Sequence, residues 1–171
     1  RHNAAVIEDA AHAMGSKYDE TNRVGSCRYS DMTVFSFHPV KTITSGEGGA
    51  ITTNDQSLYR KIKQLANHGI TREPAAFEID ELKPFAPWHY EMHELGFNYR
   101  ITDLQCALGI SQLKRIQPFV KRRQQIASVY NEQFAGIPTI EIPDAGENAY
   151  SAWHLYVIRV TDQGDRKAVY D

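Results

Sequence analysis

Met32-Thr33-Val34-Phe35-Ser36-Phe37-His38-Pro39-Val40-Lys41, followed by Gly46-Glu47-Gly48-Gly49-Ala50-Ile51-Thr52-Thr53, is the stretch that decides the fold. Its apolar and aromatic run predicts a strand over residues 32–37, its glycines a turn, and Ala50 to Thr53 another strand. Upstream, Ala4-Ala5-Val6-Ile7 is a short continuous apolar run ending in Glu8-Asp9, the pattern of a strand buried on both faces. Downstream, Asn54 or Asp55 can cap a helix whose Leu58, Ile62, Leu65 and Ala66 share one face and which Gly69 ends. Strands alternating with helices predict an α/β layered fold. Ligands of such sheets gather beyond the carboxyl ends of the strands, where Asp9 and the Ser36–Lys41 segment both fall.

Residues 70–98 are rich in proline and aromatics and lack periodicity, which suggests a functional loop or an arm onto a partner. Thr102-Asp103-Leu104-Gln105 fits a capping box, and Leu104, Ala107 and Leu108 lead a helix on to Leu113. Pro118 suits the first turn of the next helix, along which Phe119, Ile126, Tyr130 and Phe134 form an apolar stripe that Gly136 closes. Lys121-Arg122-Arg123 reads as a solvated charge run on that helix. Ile140 to Ile142 and Trp153 to Val160 read as strands of a smaller domain. The expected division is therefore residues 1–136 in a larger domain and 137–171 in the beginning of a smaller one. With no initiating Met and with apolar runs close to both termini, the chain is expected to be a piece of a longer protein and inactive by itself.

The bulk numbers exclude several classes. The 171 residues suffice for one domain with a sizeable core, and 42% hydrophobic with 23% charged residues is ordinary for a globular protein. A formal charge of −2 suggests neither nucleic acid nor an anionic membrane surface as partner. No apolar run approaches the ~20 residues of a membrane span. Cys27 and Cys106, the only cysteines, form neither a disulfide framework nor a zinc motif and suit a reducing cytoplasm. His89 and His93 stand four apart, but no third metal ligand is obvious and no metal is expected. The Gly46–Gly49 turn lacks the Gly-x-x-x-x-Gly-Lys of a phosphate-binding Walker loop, and its glycines serve backbone geometry.

An acid at one strand end and a lysine in the loop after another form a chemically meaningful pair. Pyridoxal phosphate (PLP) requires a lysine amine for covalent attachment and a carboxylate that keeps its pyridine nitrogen protonated. On spacing alone the pair has an equally simple structural explanation, with Asp9 capping a helix that starts at Ala10 and Lys41 on the surface.

The wording of the segments goes further. Val6-Ile7-Glu8-Asp9-Ala10-Ala11-His12-Ala13-Met14-Gly15 resembles the aspartate motif of the DegT/DnrJ/EryC1/StrS aminotransferases, which act on sugar nucleotides. Val34 to Lys41 with Gly46 to Ala50 resembles that family's lysine motif. Leu95-Gly96-Phe97-Asn98-Tyr99-Arg100 with Thr102 to Gly109 resembles its third signature. His68-Gly69-Ile70-Thr71-Arg72 and Pro87-Trp88-His89-Tyr90-Glu91 are similar to the branch that serves pseudaminic acid synthesis, and the lipid A aminoarabinose branch shares most of the same words.

This resemblance implies a PLP-dependent transferase of fold type I, with the chain covering the central piece of the large-domain mixed sheet and the start of the small domain. It implies transfer of an amino group from glutamate to the C4 keto group of a UDP-linked 4-keto-6-deoxy sugar, in a cytoplasmic homodimer with shared active sites. Lys41 would carry the cofactor and move protons, Asp9 would pair with the pyridine nitrogen, and His12 would sit beside the ring or its phenolic oxygen. Ser36 would donate to the cofactor phosphate, and Asn98 to the phosphate of the neighbouring subunit's cofactor. His38 and Arg100 are candidate substrate contacts. The alternatives are another 3- or 4-keto nucleotide-sugar transaminase, or a non-catalytic regulator that kept the fold.

Overall fold

A computed structural model describes residues 4–79, 83–161 and 166–170. Arg1 to Asn3, part of the loop predicted over 70–98 and part of the C-terminal stretch therefore lie outside the described residues. The central sheet has three strands in the order β1 (Ile7–Asp9), β2 (Met32–Ser36), β3 (Gly49–Thr52). β1 and β2 are parallel, whereas β2 and β3 are antiparallel. Helix α1 (Gln56–Leu65) follows, capped by Asp55, whose carboxylate accepts from the N–H groups of Ser57 and Leu58.

The signature words on either side of the loop region meet at the end of α1. Gly69 has φ +69°, and a side chain there would run into the carbonyl oxygen of Glu94. A side chain on Gly96 would likewise strike the backbone of Gly69 and His68. Two glycines let two backbones pack with nothing between them. The loop region itself is held by the short pair β4 (Ile70–Thr71) and β5 (Glu91–Met92).

Helix α2 (Asp103–Leu113) opens with the expected capping box: Gln105 N–H donates to Thr102 Oγ1, and Thr102 N–H to Gln105 Oε1. α3 (Ile116–Phe134) follows, then the pair β6 (Ile140–Glu141) and β7 (Arg159–Val160), and α4 (Arg166–Tyr170).

Three sequence expectations change. The strand predicted from Ala4 begins at Ile7 and is not buried on both faces; Ile7 is 61% exposed, and among the described residues β1 pairs with β2 alone. The strand predicted from Trp153 shrinks to Arg159–Val160. Trp153 has φ +48°, a left-handed conformation that no strand accommodates. The core is thin: the buried apolar side chains among the described residues are Ala10, Phe35, Ile43, Val120, Ala127 and Ala152. Much of the remaining apolar surface, such as Leu95, Tyr99 and Leu104, faces outward.

Candidate active site

Side chains alternate across a strand, and residues paired in a parallel register share a face. Glu8 pairs with Thr33, and Asp9 with Val34. Glu8 and Thr33 therefore lie on one face together with Phe35, while Asp9, Val34 and Ser36 lie on the other. The first face is filled. Thr33 Oγ1 donates to Glu8 Oε2 at 3.0 Å, and the Tyr18 hydroxyl donates to Glu8 Oε1. Burial and that carboxylate push the Tyr18 phenol well above its ordinary range. The second face is open, and Asp9 is exposed. Its Oδ1 accepts from Ala11 N–H at 3.1 Å, the contact of a turn immediately beyond the strand.

Lys41 is fixed by the connection between β2 and β3. His38 to Lys41 form a turn closed by Lys41 N–H donating to the His38 carbonyl at 2.9 Å. The next residues are the anchor: Thr42, Ile43 and Ser45 are buried. Ser45 N–H and Thr44 Oγ1 both donate to the Phe37 carbonyl, and Ser45 Oγ donates to the Glu47 carbonyl at 2.7 Å. A loop held at these points presents a half-buried lysine at the strand ends. Ser36 Oγ accepts from His38 N–H at 3.4 Å, so its own proton stays available to a ligand. His38 Nδ1 accepts from Val40 N–H at 3.4 Å, and its Nε2 stands 3.9 Å from Glu47; His38 braces the turn.

His12 sits in the turn after β1, and its ring lies 4.4 Å from that of His154, centroid to centroid. Sequence reasoning did not single out His154. Burial first, then the nearby positive charges of His12, Lys41 and Arg123, hold its imidazole below the ordinary value. Arg123 is also not a solvated charge, as the run Lys121-Arg122-Arg123 suggested: its Nη1 donates to the carbonyls of Trp153 and His154 at 3.0 and 3.1 Å. The carbonyls are turned toward α3 by the left-handed residue at 153, a feature that apolar patterning does not reveal.

Asn98 and Arg100 lie elsewhere. Asn98 bridges Asn67 through the backbone, and Arg100 Nη1 donates to Asn67 Oδ1 at 2.7 Å. Among the described residues neither makes a hydrogen bond or ion pair with Asp9, Ser36 or Lys41. The same segment nevertheless touches the lysine loop, since a side chain on Gly48 would meet Ile101.

The donor set fits PLP. It offers a carboxylate with one oxygen engaged by a single backbone N–H, a hydroxyl with its proton free, and a primary amine on an anchored turn. An acid for a pyridinium, a neutral donor for a phosphate and an amine for an aldehyde are the three groups that cofactor needs. Sheet, register and donor set together define a piece of a PLP-dependent transferase fold of the aminotransferase type.

The chain belongs to the DegT/DnrJ/EryC1/StrS aminotransferase family, whose profile matches residues 1–170. It is 41% identical over 161 residues to a UDP-4-amino-4,6-dideoxy-N-acetyl-beta-L-altrosamine transaminase of Campylobacter jejuni, covering 92% of this chain and 38% of that protein. The Helicobacter pylori aminotransferase PseC, involved in pseudaminic acid biosynthesis, superposes with a TM-score of 0.78 at 33% identity, covering 93% of this chain and 39% of that one. Streptococcus pneumoniae Spr1654 in a PLP form superposes with a TM-score of 0.74 at 31% identity, covering 91% and 37%. The chain thus spans about two fifths of the relatives it matches. No described helix is long and apolar enough to cross a membrane.

Proposed function

We propose that the protein carrying this chain transfers an amino group from glutamate to the C4 keto carbon of a UDP-linked 4-keto-6-deoxy sugar. The observation that carries the reading is the convergence of Asp9, Ser36 and Lys41: two on one face of β1 and β2, the third on the anchored turn beyond them. The identity to the altrosamine transaminase of Campylobacter jejuni supports the sugar.

When bound, PLP supplies an aldehyde that condenses with amines and a protonated ring that accepts an electron pair. The residues supply everything else. Asp9 holds the proton on the ring nitrogen by its negative charge. Ser36 Oγ would donate to the cofactor phosphate. Lys41 Nζ would hold the cofactor and, once released by glutamate, would be the base that takes the Cα proton of glutamate and passes it on within the site. With the sugar bound, the same amine would carry a proton the other way, to C4 of the sugar. Asn98 reaches the phosphate of the neighbouring subunit's cofactor in a homodimer.

The test is an assay of the full-length protein with glutamate against a panel of 4-keto UDP- and dTDP-sugars. Preferred turnover of the UDP-linked 4-keto-6-deoxy sugar is the expected result, and exclusive turnover of a dTDP-sugar would replace the substrate assignment. Lys41→Ala is expected to abolish both turnover and the visible absorbance of the lysine-bound cofactor. A variant that still transaminates normally would remove Lys41 from its role.

A further inference from the structure

We propose that His154 is a positioning residue of the cofactor site: its ring, brought in from the far end of the chain, fixes the plane of His12. The inference rests on the cofactor reading given above.

The segment that carries His154 is tied down on two sides. Lys17 and Tyr150 exchange both backbone hydrogen bonds at 2.9 Å, and Ala152 N–H donates to Ser16 Oγ at 2.8 Å. From α3, Gln124 donates to the Ser151 carbonyl, and Arg123 donates to the carbonyls of Trp153 and His154. Ala152 between them is completely buried. Five residues are thus clamped between the stretch after β1 and the face of α3, with a left-handed residue at 153 that turns the chain sharply just before His154. A left-handed conformation at a non-glycine residue is uncommon and persists only where the surroundings enforce it.

The side chain so delivered has an unusual state. His154 Nδ1 is buried and has no hydrogen-bond partner among the described residues. A buried polar atom without a partner is costly and uncommon in folded proteins. The ring faces His12, tilted by 53°. The charged groups around it, His12, Lys41 and Arg123, are all cationic when protonated and all oppose its protonation. A ring in this position occupies one side of the His12 imidazole, so that His12 keeps one orientation. This does not require His154 to touch the cofactor.

The test uses full-length protein loaded with PLP, comparing wild type with His154→Ala and His154→Phe. The first readout is the cofactor dissociation constant with the visible absorbance band followed across pH. The second is kcat with glutamate. In His154→Ala the band is present, the pH at which it changes moves measurably, and kcat falls roughly ten- to a hundredfold, the scale of a misplaced catalytic group. His154→Phe keeps a ring against His12 and recovers most of both. An alanine variant with the wild-type band, pH profile and kcat would overturn the inference, as would a phenylalanine variant no better than alanine. Should the variants not fold, a wild-type nuclear Overhauser contact between the two imidazole rings carries the test. Its persistence on loading with PLP supports the inference, and its absence from the loaded protein overturns it. A wild-type protein that shows no band at all would remove the cofactor reading itself, an outcome separate from any of these.

Discussion

Glu8 and Asp9 carry the same functional group on adjacent residues, and the strand sends them to opposite fates. Glu8 is consumed by Tyr18 and Thr33 on the covered face; Asp9 remains free to meet a cation on the open one. Asp9→Asn keeps the shape and removes the charge. It is expected to leave cofactor bound while lowering kcat by about 100-fold or more, since electrostatic stabilisation at the reacting centre is the larger effect; single-turnover kinetics with glutamate would measure it. Ser36→Ala is expected to weaken cofactor binding roughly tenfold with little change in the kcat of saturated enzyme, the consequence of one lost donor to a phosphate; a fluorescence titration with PLP decides. The places of Asp9, Ser36 and Lys41 near strand ends were legible in the sequence, because local pattern predicts position there; the roles proposed for them come from the family resemblance and not from spacing. The place of His154 was not legible, because it depends on a turn at 153 and on an arginine from another helix, and no local pattern encodes either.

At the scale of elements, the predicted helices and the capping box at Thr102 appear where their sequence signals place them. Those signals are contained in a few neighbouring residues. The loop over 70–98 had no such signal, and its described part is organised by one buried acid instead. Glu91 is 5% exposed. Its carboxylate accepts from the N–H groups of Glu78 and Ile79 at 2.7 and 3.2 Å and from His93 Nε2 at 2.9 Å, with His89 Nε2 3.4 Å away. Burial alone would raise its pKa, but these donors outweigh burial and bring it down to about 2. A carboxyl whose pKa is depressed on folding contributes stability above its unfolded value and loses it as pH falls through the folded one. The clasp is therefore expected to hold fully above about pH 4.5 and to loosen from there down to about pH 2. Hydrogen exchange at the amides of Glu78 and Ile79 would follow it, and Glu91→Gln would speed their exchange at neutral pH. Gly96→Ala tests the other contact of this region. With no space between Gly96 and the backbone at Gly69, it is expected to cost about 2–4 kcal/mol, read from denaturant unfolding of the full-length protein.

At the scale of the whole molecule, the sequence suggests a sizeable core, and six apolar side chains are buried among the described residues while Leu95 is 90% and Leu104 86% exposed, in a chain that spans about two fifths of its relatives. The proposed homodimer with shared sites is testable without any structure of the assembly. At a PLP concentration just sufficient for the wild type, Lys41→Ala is expected to be inactive alone and Asn98→Ala to keep about a tenth of the activity. Mixed and allowed to exchange subunits at random, they should recover about a quarter of wild-type activity, because half the dimers are mixed and each has one intact site. No recovery after proven exchange would place Asn98 and Lys41 in the same subunit's site.

The clamp around residues 150–154 has one more consequence. The chain leaves α3, runs through the exposed stretch from Asp144 to Ala149 with Gly146 at φ +83°, and is then caught again by Lys17, Ser16 and Gln124. The place where the backbone is most open to attack is thus just outside the place where it is most firmly held. A protease nick between Glu147 and Asn148 would give two bands on a denaturing gel and a single species in solution, with His154 still at its post.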